Sequence, residues 1–483
     1  MTTVLGGGLS GLAAGYYMLK RYGQPFTIYE SSIRLGGWIR TEQHKEKGFT
    51  FEAGPRTIRP KGLPGANTLE LIEDLQLDID TIHSEHVAAK NRLIYSSGKL
   101  CPLPNSLGSL FKTLDPFSRP LISALFRDLI AGRKKQKHGD ESIYNFTARR
   151  FGKEIADLAI SPMICGICAG DAKEISVRFL MNDIFEQEQR WGGVLKGYLF
   201  SKFTRKLDKD LGEGIFSDRY PNLYNKAKKE KWSMYRLRDG LEALPKTLAS
   251  YLRKHDVNIQ TSSECKKLVF TKEGVRIIIK DRELQARHIV SAMPSYKLAP
   301  CVQDQHPSLA GQLLTIPYVD VAVVNLQYNN KDLLKLKAFG FLVPPLEKLP
   351  ILGVIFDSCC FDMHGNTVLT VMMGGKWFVE NFGKSPSQKE LLDTALQHVE
   401  KILHINHEPK QTRVHILHKC IPQYVVGHKE RVANIRKYIR NYNLPLSLCG
   451  AAYDGVGIND VILSARNQVT TYILWGRVLF IIM

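Results

Sequence analysis

The chain has 483 residues, more than one hydrophobic core usually holds, so we expect two or three structural units. Its composition, 44% hydrophobic and 23% charged, is that of a globular protein rather than a disordered one. The 66 basic residues outnumber the 47 acidic ones, and the net charge of +19 favours an anionic partner: nucleic acid, an anionic membrane surface or an acidic small molecule.

The first 30 residues predict a strand, a glycine turn, a helix and a second strand. The first strand begins at Thr2, the glycine turn spans Gly6 to Gly11, and the second strand runs from Phe26 to Tyr29. A strand, a helix and a strand within about 30 residues are typical of the βαβ unit of a parallel sheet.

The glycine turn has the pattern G-x-G-x-x-G at Gly6, Gly8 and Gly11. Glycines at these places permit a tight turn, close approach of a pyrophosphate and close packing of the helix on the strand, and the helix N-terminus faces the phosphates. Glu30 follows 19 residues after Gly11, where an acid accepts a hydrogen bond from a ribose hydroxyl. The sequence therefore predicts a dinucleotide site and disfavours NADP, whose 2′-phosphate would meet this acid.

The middle of the chain, from about Glu85, is less regular. One apolar series has helical spacing and is followed directly by a basic cluster. The series is Leu121, Ile122, Leu125, Phe126, Leu129 and Ile130, and the cluster is Arg133, Lys134, Lys135, Lys137 and His138. This pattern fits a helix lying in a membrane interface, and it also fits a buried helix followed by a solvated basic loop. A second basic run, Lys226 to Lys231, is interpreted as part of a surface loop.

An αβ pattern returns from Trp232. Leucines at 241, 244, 248 and 252 predict a helix, and Val275 to Ile279 and Ile289 to Pro294 predict strands. Two runs, Val321 to Leu326 and Val368 to Met373, read as buried strands of a second sheet.

The nine cysteines are few, widely spread and odd in number, so we expect no disulfide framework. Cys165 and Cys168 form a C-x-x-C, but no second pair or histidine follows at zinc spacing, so no metal is expected. The sequence lacks about 20 uninterrupted apolar residues, which disfavours a spanning helix. The nearest candidate, Tyr472 to Met483, is short and carries Arg477. We see no Arg-rich amphipathic leader, so we expect any mitochondrial address to lie elsewhere in the chain.

Three separated blocks resemble the amine-oxidase-like flavoproteins. The blocks are Arg34-Leu35-Gly36-Gly37-Trp38-Ile39-Arg40-Thr41, Phe51-Glu52-Ala53-Gly54-Pro55-Arg56-Thr57 and the closing segment from Gly450 to Asp460. In that group the first block wraps the adenosine diphosphate half of FAD, the second passes beside the flavin ring and the third covers it. The resemblance implies non-covalent FAD rather than NAD.

Within this group the chain resembles the protoporphyrinogen oxidases of animal mitochondria over nearly its whole length. Segments outside the flavin blocks carry this narrower resemblance: Asn91-Arg92, Val324-Asn325-Leu326-Gln327-Tyr328 and Ile421-Pro422-Gln423-Tyr424. The family implies an α/β fold with a Rossmann-like FAD-binding domain, a mixed-sheet substrate domain and a helical membrane-binding domain. The implied ranges are 1–85, 232–300 and 441–483 for FAD, 86–231 for the membrane and 301–440 for the substrate.

The resemblance also implies site residues, none of them a catalytic side chain, since the flavin carries the hydride chemistry. The cofactor residues are Gly6, Gly7, Gly8, Leu9, Ser10, Gly11, Glu30, Ser31, Trp38, Gly54, Pro55, Arg56, Thr57, Cys265, Ala451, Val456, Gly457 and Ile458. The substrate residues are Arg92, Gly170, Phe339, Leu342 and Met372. Cys265 would act through its backbone, and Arg56 is open between a flavin contact and a structural ion pair. A surface salt bridge for Arg92 and ordinary core positions for the three apolar residues are the alternatives.

The reaction implied is oxidation of protoporphyrinogen IX to protoporphyrin IX in haem biosynthesis, with molecular oxygen as acceptor. An apolar macrocycle with two carboxylates needs aliphatic and aromatic walls and a cation. The family implies peripheral attachment to the mitochondrial inner membrane, on the intermembrane-space side. Nucleic acid is disfavoured as a partner because no recognised binding module appears in the sequence. A homodimer and docking with ferrochelatase are further expectations. Another amine-oxidase-like oxidase and a non-catalytic tetrapyrrole-binding flavoprotein remain as alternatives.

Overall fold

The computed structural model describes residues 2–23, 25–44, 49–132, 139–204, 221–280 and 282–481. Two sheets, with helices around them, form the larger part of the fold, and three small sheets complete it.

Five parallel strands form the first sheet. They are β1 (Thr2–Leu5), β2 (Phe26–Tyr29), β9 (Asn258–Gln260), β13 (His288–Ser291) and β19 (Leu446–Leu448). Their order is β19-β13-β1-β2-β9. In the centre, β1 pairs in parallel with β2 from Thr2↔Phe26 to Leu5↔Tyr29, and with β13 on its other side. Helix α1 (Leu9–Tyr22) connects β1 to β2, which confirms the predicted βαβ unit.

Seven strands form the second sheet, which is mixed. They are β6 (Leu93–Ser96), β7 (Lys99–Pro102), β14 (Tyr318–Tyr328), β15 (Gly340–Leu342), β16 (Ile351–Phe356), β17 (Thr367–Gly375) and β18 (Gln411–Pro422). Their order is β18-β14-β17-β16-β15-β6-β7. The two predicted buried strands are confirmed as β14 and β17, which pair antiparallel.

The boundary predicted at residue 86 between the FAD and helical parts needs a correction. Strands β6 and β7 lie inside the range expected to be mainly helical, yet they extend the substrate sheet because β6 pairs in parallel with β15. Leu93 and Tyr95 belong to the buried core of that sheet. The helical part therefore begins after Pro102.

Seven further strands make three small sheets. The first contains two strands, β3 (Thr41–His44) and β4 (Phe49–Glu52), and the second also contains two, β5 (Ile79–His83) and β8 (Trp232–Leu237). The third contains three strands, β10 (Cys265–Thr271), β11 (Gly274–Ile279) and β12 (Arg282–Ala286).

Short helices predominate between residues 87 and 229. They are α3 (Val87–Lys90), α4 (Ile122–Ile130), α5 (Ile143–Arg150), α6 (Lys153–Ile155), α7 (Ser161–Cys168), α8 (Val177–Leu180), α9 (Asn182–Trp191), α10 (Val194–Thr204) and α11 (Asn222–Lys229). Short 3₁₀ and π turns occupy Gly108–Phe111 and Ala156–Ile160.

The remaining helices surround the sheets. They are α2 (Gly62–Asp74), α12 (Ala243–Lys254), α13 (Ser295–Val302), α14 (Pro307–Leu314), α15 (Asp357–Cys360), α16 (Phe378–Phe382), α17 (Gln388–Leu403), α18 (His428–Asn441) and α19 (Ile458–Ile481), with a 3₁₀ turn at Pro345–Glu347. The helix predicted from the leucines near 244 is confirmed as α12.

The prediction that the second basic run lies in a surface loop is wrong. Lys226, Lys228 and Lys229 lie on α11, where Tyr224 and Ala227, three residues apart, are buried against the core around α2. Because this apolar pair occupies one face of the helix, the lysines fall on the exposed faces. The basic cluster from Arg133 to His138 lies outside the described residues.

Helix α4 exposes large apolar side chains and buries a charged one, the reverse of an ordinary surface helix. Its apolar Phe126 and Ile130 are 63% and 86% exposed, whereas its charged Asp128 is completely buried. The carboxylate of Asp128 accepts a hydrogen bond from the buried Arg150 (2.7 Å) and from the backbone N–H of Leu195 (2.8 Å). The buried charge is therefore compensated inside, and the outward face of α4 carries two large apolar side chains.

The backbone of α19 continues as far as Ile481, but the side chains of the apolar stretch from Tyr472 lie outside the described part. Within the residues that can be described, no helix is long and apolar enough to cross a membrane.

Candidate functional site

The glycine turn between β1 and α1 is as tight as the motif predicts. A Cβ at Gly11 would lie 1.8 Å from the carbonyl oxygen of Gly6, so no other residue fits there without moving the turn. No side chain caps the N-terminus of α1, and its first turn has no acidic residue. An uncapped helix end of this kind, with no acid in its first turn, suits a pyrophosphate.

The predicted ribose-binding acid lies beside this turn. One carboxylate oxygen of Glu30 accepts hydrogen bonds from the Ser32 amide (2.8 Å) and the Ser31 hydroxyl (3.2 Å), and the other accepts one from the Gly7 amide (2.7 Å). The carbonyl of Glu30 accepts from the Ser263 amide (2.7 Å), which brings the segment leading to Cys265 to the same place. The Cys265 thiol is buried, so any cofactor contact falls to its backbone.

The block around Trp38 closes over the glycine turn. The Gly36 amide donates to the Gly7 carbonyl (2.9 Å), and a Cβ at Gly8 would lie 3.7 Å from the Cα of Gly37. The indole of Trp38 is 42% exposed. It lines a cavity of about 690 Å³ whose wall includes Ala53 of the second block.

The closing segment returns to the same turn. A Cβ at Gly450 would lie 2.9 Å from the hydroxyl of Ser10, so Ala451 follows directly beside the N-terminus of α1. In the first turn of α19, the Asn459 side-chain amide donates to the Arg59 carbonyl (2.9 Å). The three blocks that are separated in sequence are therefore adjacent in space.

Arg56 forms an ion pair, which is one of the two roles that the sequence left open for this residue. Its guanidinium donates to Asp357 at 2.8 Å, and the two side chains are only 9% and 13% exposed. The other carboxylate oxygen of Asp357 accepts from the hydroxyl of Thr370 (2.7 Å), which in turn accepts from the Asn325 amide (2.8 Å). This network links the second flavin block to the substrate sheet. Sequence reasoning missed Asp357 and Thr370, because Asp357 follows one ordinary apolar strand pattern and Thr370 lies within another.

Glu52, in the second flavin block, is a further residue for which the sequence predicted no role of its own. Its carboxylate accepts from the Leu241 amide (2.8 Å) and the Thr41 hydroxyl (2.7 Å). Burial raises the pKa of Glu52 to about 7 although these hydrogen bonds favour the charged form.

The predicted substrate residues fall into two neighbouring groups at one end of the substrate sheet. The guanidinium of Arg92 lies over the Phe339 ring, 5.0 Å from its centroid. The Arg92 side chain is partly buried and forms no hydrogen bond or ion pair with any residue that the structure describes, so the surface salt bridge is not formed. Leu342, three residues after Phe339, pairs with Ile94 two residues after Arg92.

Leu342, Met372 and Gly170 meet around helix α7. A Cβ at Gly166, on α7, would lie 2.8 Å from the Leu342 side chain, and Met372 packs against the buried cluster that contains Cys165. Gly170 follows the end of α7, where a Cβ would lie 2.2 Å from the side-chain carbonyl oxygen of Gln423.

The closing flavin segment reaches this helical wall as well. Val456 packs against the buried cluster that contains Ile164 and Cys168 of α7. The predicted flavin and substrate residues therefore meet where the first sheet, the second sheet and the helical part come together.

The C-x-x-C pair lies on α7 with both thiols buried. Burial raises the pKa of both, that of Cys168 to about 12, so the reactive thiolates are disfavoured. Among the described residues no group of three metal-binding side chains occurs.

Comparison with known proteins decides the family. The model of the flavin containing amine oxidoreductases matches residues 9–471. Protoporphyrinogen oxidase of Bos taurus is 38% identical over 473 residues, 96% of each chain, and that of Homo sapiens is 37% identical over 478 residues, 97% of each. The chain belongs to the protoporphyrinogen oxidase family of flavin-containing amine oxidoreductases. It is an FAD-dependent oxidoreductase.

The fold agrees with this family. A crystal structure from Exiguobacterium sp. 255-15 superposes with a TM-score of 0.76 at 22% identity, covering 97% of this chain and 98% of that one. The glycine turn with no room for a Cβ, the uncapped helix end and the adjacent acid fit a flavin dinucleotide. The roles of the individual site residues stay predictions.

Proposed function

We propose that this member of the family oxidises protoporphyrinogen IX to protoporphyrin IX with molecular oxygen as the final acceptor. One observation carries the proposal: a partly buried arginine without a carboxylate partner, Arg92, stands beside an apolar wall that reaches the flavin segment. A buried cation costs free energy unless an anion meets it, so this position suits the carboxylate arm of an apolar substrate.

The chain's own residues bind and orient the substrate. Arg92 holds a propionate, and Leu342 and Met372 contact the macrocycle and exclude water. The glycine turn from Gly6 to Gly11 and Glu30 would hold FAD, which would supply the acceptor for a hydride from a bridging carbon, and molecular oxygen would take up the two electrons and two protons as hydrogen peroxide. Each round would remove one hydride and one proton, so three rounds account for the six hydrogens that separate protoporphyrinogen from protoporphyrin, and no protein nucleophile is needed.

Anaerobic mixing with protoporphyrinogen IX tests the reaction. Flavin absorbance should bleach, and admission of air should restore it and produce porphyrin fluorescence. Bleaching by amines but not by protoporphyrinogen would favour another amine-oxidase-like activity. Binding without bleaching would favour a tetrapyrrole carrier.

Substitution of the arginine tests its role. Arg92→Gln should raise KM with little change in kcat, because a propionate contact stabilises ground and transition states alike. Arg282→Gln, an exposed arginine on β12, is the control and should leave both constants unchanged. An unchanged KM in Arg92→Gln would contradict the assignment.

We further propose that the helical part binds an anionic membrane surface, the intermembrane-space side of the mitochondrial inner membrane. The support is a patch of exposed apolar side chains, called here the helical patch: Leu107, Phe111, Phe126, Ile130, Leu199 and Phe200. Two of its helices are tied together, since the Leu195 amide at the start of α10 binds Asp128 of α4. Exposed apolar groups of this kind insert below lipid headgroups, and the net charge of +19 favours an anionic leaflet. A homodimer and docking with ferrochelatase stay predictions.

A further inference from the structure

Tyr424 lies between β18 and α18, and its side chain is completely buried. Its hydroxyl donates a hydrogen bond to the carbonyl of Ala451 (2.5 Å), 27 residues further along the chain. Burial raises the pKa of Tyr424 well above its ordinary value, so the hydroxyl keeps the proton that it donates. A buried side chain is thus directed at the backbone of the closing flavin segment.

The segment that receives this hydrogen bond rests against the glycine turn. A Cβ at Gly450 would lie 2.9 Å from the hydroxyl of Ser10, in the first turn of α1. The Gly450 amide donates to the hydroxyl of Ser464 (3.0 Å), and its carbonyl accepts from the Tyr453 amide (3.1 Å). The Ala451 carbonyl, held by Tyr424, therefore belongs to backbone that stands beside the helix end suited to a pyrophosphate.

The helical part holds Tyr424 from the other side. The Ser176 amide donates to the carbonyl of Tyr424 (2.8 Å), and the ring of Phe179, on α8, has its centroid 4.2 Å from that of Tyr424. The carboxylate of Asp140 accepts from the Ser176 hydroxyl (2.8 Å) and from the Gly427 amide (2.9 Å), so it ties the chain after Tyr424 to the same place. Tyr424 therefore joins the helical part to the closing flavin segment.

A third ring, that of His428 on α18, completes the packing around Tyr424. His428 is completely buried, and its centroid lies 4.6 Å from that of Tyr424 and 4.7 Å from that of Phe179. Burial lowers the pKa of His428 to about 3, so its ring is uncharged at neutral pH. Three closely packed rings leave little freedom for rotation, which keeps the Tyr424 hydroxyl directed at the Ala451 carbonyl.

We propose that Tyr424 is a positioning residue for FAD, through which the helical part holds the closing segment against the N-terminus of α1. The hydroxyl would act through the Ala451 carbonyl. Without it, the closing segment would have to be ordered when FAD binds, and this cost would weaken the affinity for the cofactor. The role concerns retention of FAD and does not depend on the substrate proposed above.

Release of FAD from the holoenzyme tests this role. Tyr424→Phe removes the hydroxyl and keeps the ring, so it should raise the Kd for FAD about tenfold, the loss expected for one hydrogen bond. The fluorescence of FAD released on dilution measures this Kd. Tyr328→Phe is the matched control, because Tyr328 is also buried, but its hydroxyl has no hydrogen-bond partner among the residues that the structure describes. Its Kd should equal that of the wild type.

Hydrogen exchange separates positioning of the segment from general stability. In Tyr424→Phe the amides of Tyr453 and Asp454, which donate to the Gly450 carbonyl, should exchange faster, while those of β14 keep their wild-type rates. Wild-type exchange in the closing segment would overturn the proposal. So would a lower Tm together with a wild-type Kd, since Tyr424 would then have a purely structural role.

A second variant covers the case in which Tyr424→Phe does not fold. Phe179→Leu loosens the packing around the Tyr424 ring and leaves the hydroxyl in place, so it should raise the Kd for FAD by a smaller factor. An unchanged Kd in that variant would overturn the proposal. Turnover of protoporphyrinogen by the wild type bears on the proposed function alone, so failure of one does not imply failure of the other.

Discussion

The buried ion pair between Arg56 and Asp357 is the strongest candidate for a large single-residue effect on stability. Asp357→Asn keeps the shape of the side chain and its hydrogen bond with Thr370, but it removes the charge opposite a guanidinium that is 9% exposed. Removal of one partner of a buried pair costs about 3–5 kcal/mol, since the other charge stays buried. The amide oxygen can still accept from Arg56, so we expect the lower end, about 3 kcal/mol.

The expected change in melting temperature follows from chain length. The entropy of unfolding is about 2.1 cal/mol/K per residue, which gives about 1 kcal/mol/K for 483 residues. A loss of about 3 kcal/mol in the free energy of unfolding therefore lowers Tm by about 3 °C. Thermal unfolding followed by calorimetry, with and without added FAD, measures this shift. Unfolding in urea should give the same free-energy difference with an unchanged slope.

An exposed ion pair provides the matched control. Arg276 and Glu283 are 3.1 Å apart, with side chains 45% and 54% exposed, so Glu283→Gln should cost no more than about 0.5 kcal/mol. The double variant Arg56→Gln with Asp357→Asn removes both charges and should recover more than half of the loss. If Asp357→Asn is as stable as Glu283→Gln, or if the double variant is worse than the sum of its single changes, the uncompensated-charge argument is wrong.

Three other predictions follow from the structure. Burial raises the pKa of Glu52 from 4.5 to about 7, so the folded state binds this proton more tightly than the unfolded state. The resulting contribution to stability is lost as the pH rises from about 4.5 through 7. Glu52→Gln should remove that pH-dependent loss, which reaches about 3 kcal/mol at pH 8. Gly11→Ala should purify with little FAD, as measured by flavin absorbance per chain, because its Cβ would collide with the Gly6 carbonyl. Phe126→Glu together with Ile130→Glu should lower binding to anionic vesicles at least about tenfold in a sedimentation assay, because two exposed apolar groups no longer insert.

Each of these has a control and a contradicting result. Equal slopes of Tm against pH in the wild type and Glu52→Gln would contradict the first. Gly311→Ala, where an added methyl group meets nothing within 4 Å, should keep its FAD, and full flavin in Gly11→Ala would contradict the second. Leu346→Glu alters an exposed leucine outside the helical patch and should leave vesicle binding unchanged; equal binding by the double variant would count against the membrane surface.

The parts of the fold that local pattern determines could be predicted. The glycine turn, α1 and β2 follow from a motif whose residues are neighbours in sequence, and β14 and β17 follow from continuous apolar runs. The strands β6 and β7 could not, because four-residue strands carry little periodic signal and their place depends on pairing with β15, some 250 residues away. The helix α11 was missed for a related reason, since only two of its residues, Tyr224 and Ala227, are buried, and Leu223 beside them is partly buried against the same core.

The candidate site shows the same division. Arg92, Phe339 and Leu342 could be named from resemblance, and the structure brings them together at one strand pair. The partner of Arg56 could not be named, because an aspartate at the start of a four-residue helix resembles many surface aspartates in sequence. Only the three-dimensional arrangement shows Asp357 buried between the flavin block and the substrate sheet.

The interleaved order of the five-stranded sheet bears on how the enzyme is synthesised. Its central strand is the first to leave the ribosome, yet an edge strand, β19, comes from Leu446–Leu448, and Gly450 then rests against Ser10. A nascent chain therefore carries the complete nucleotide fingerprint for most of translation with no closed place for the dinucleotide. A chain that ends before β19 would keep the motif without the segment that closes over it. We therefore expect FAD to be retained only after the polypeptide has been completed through β19.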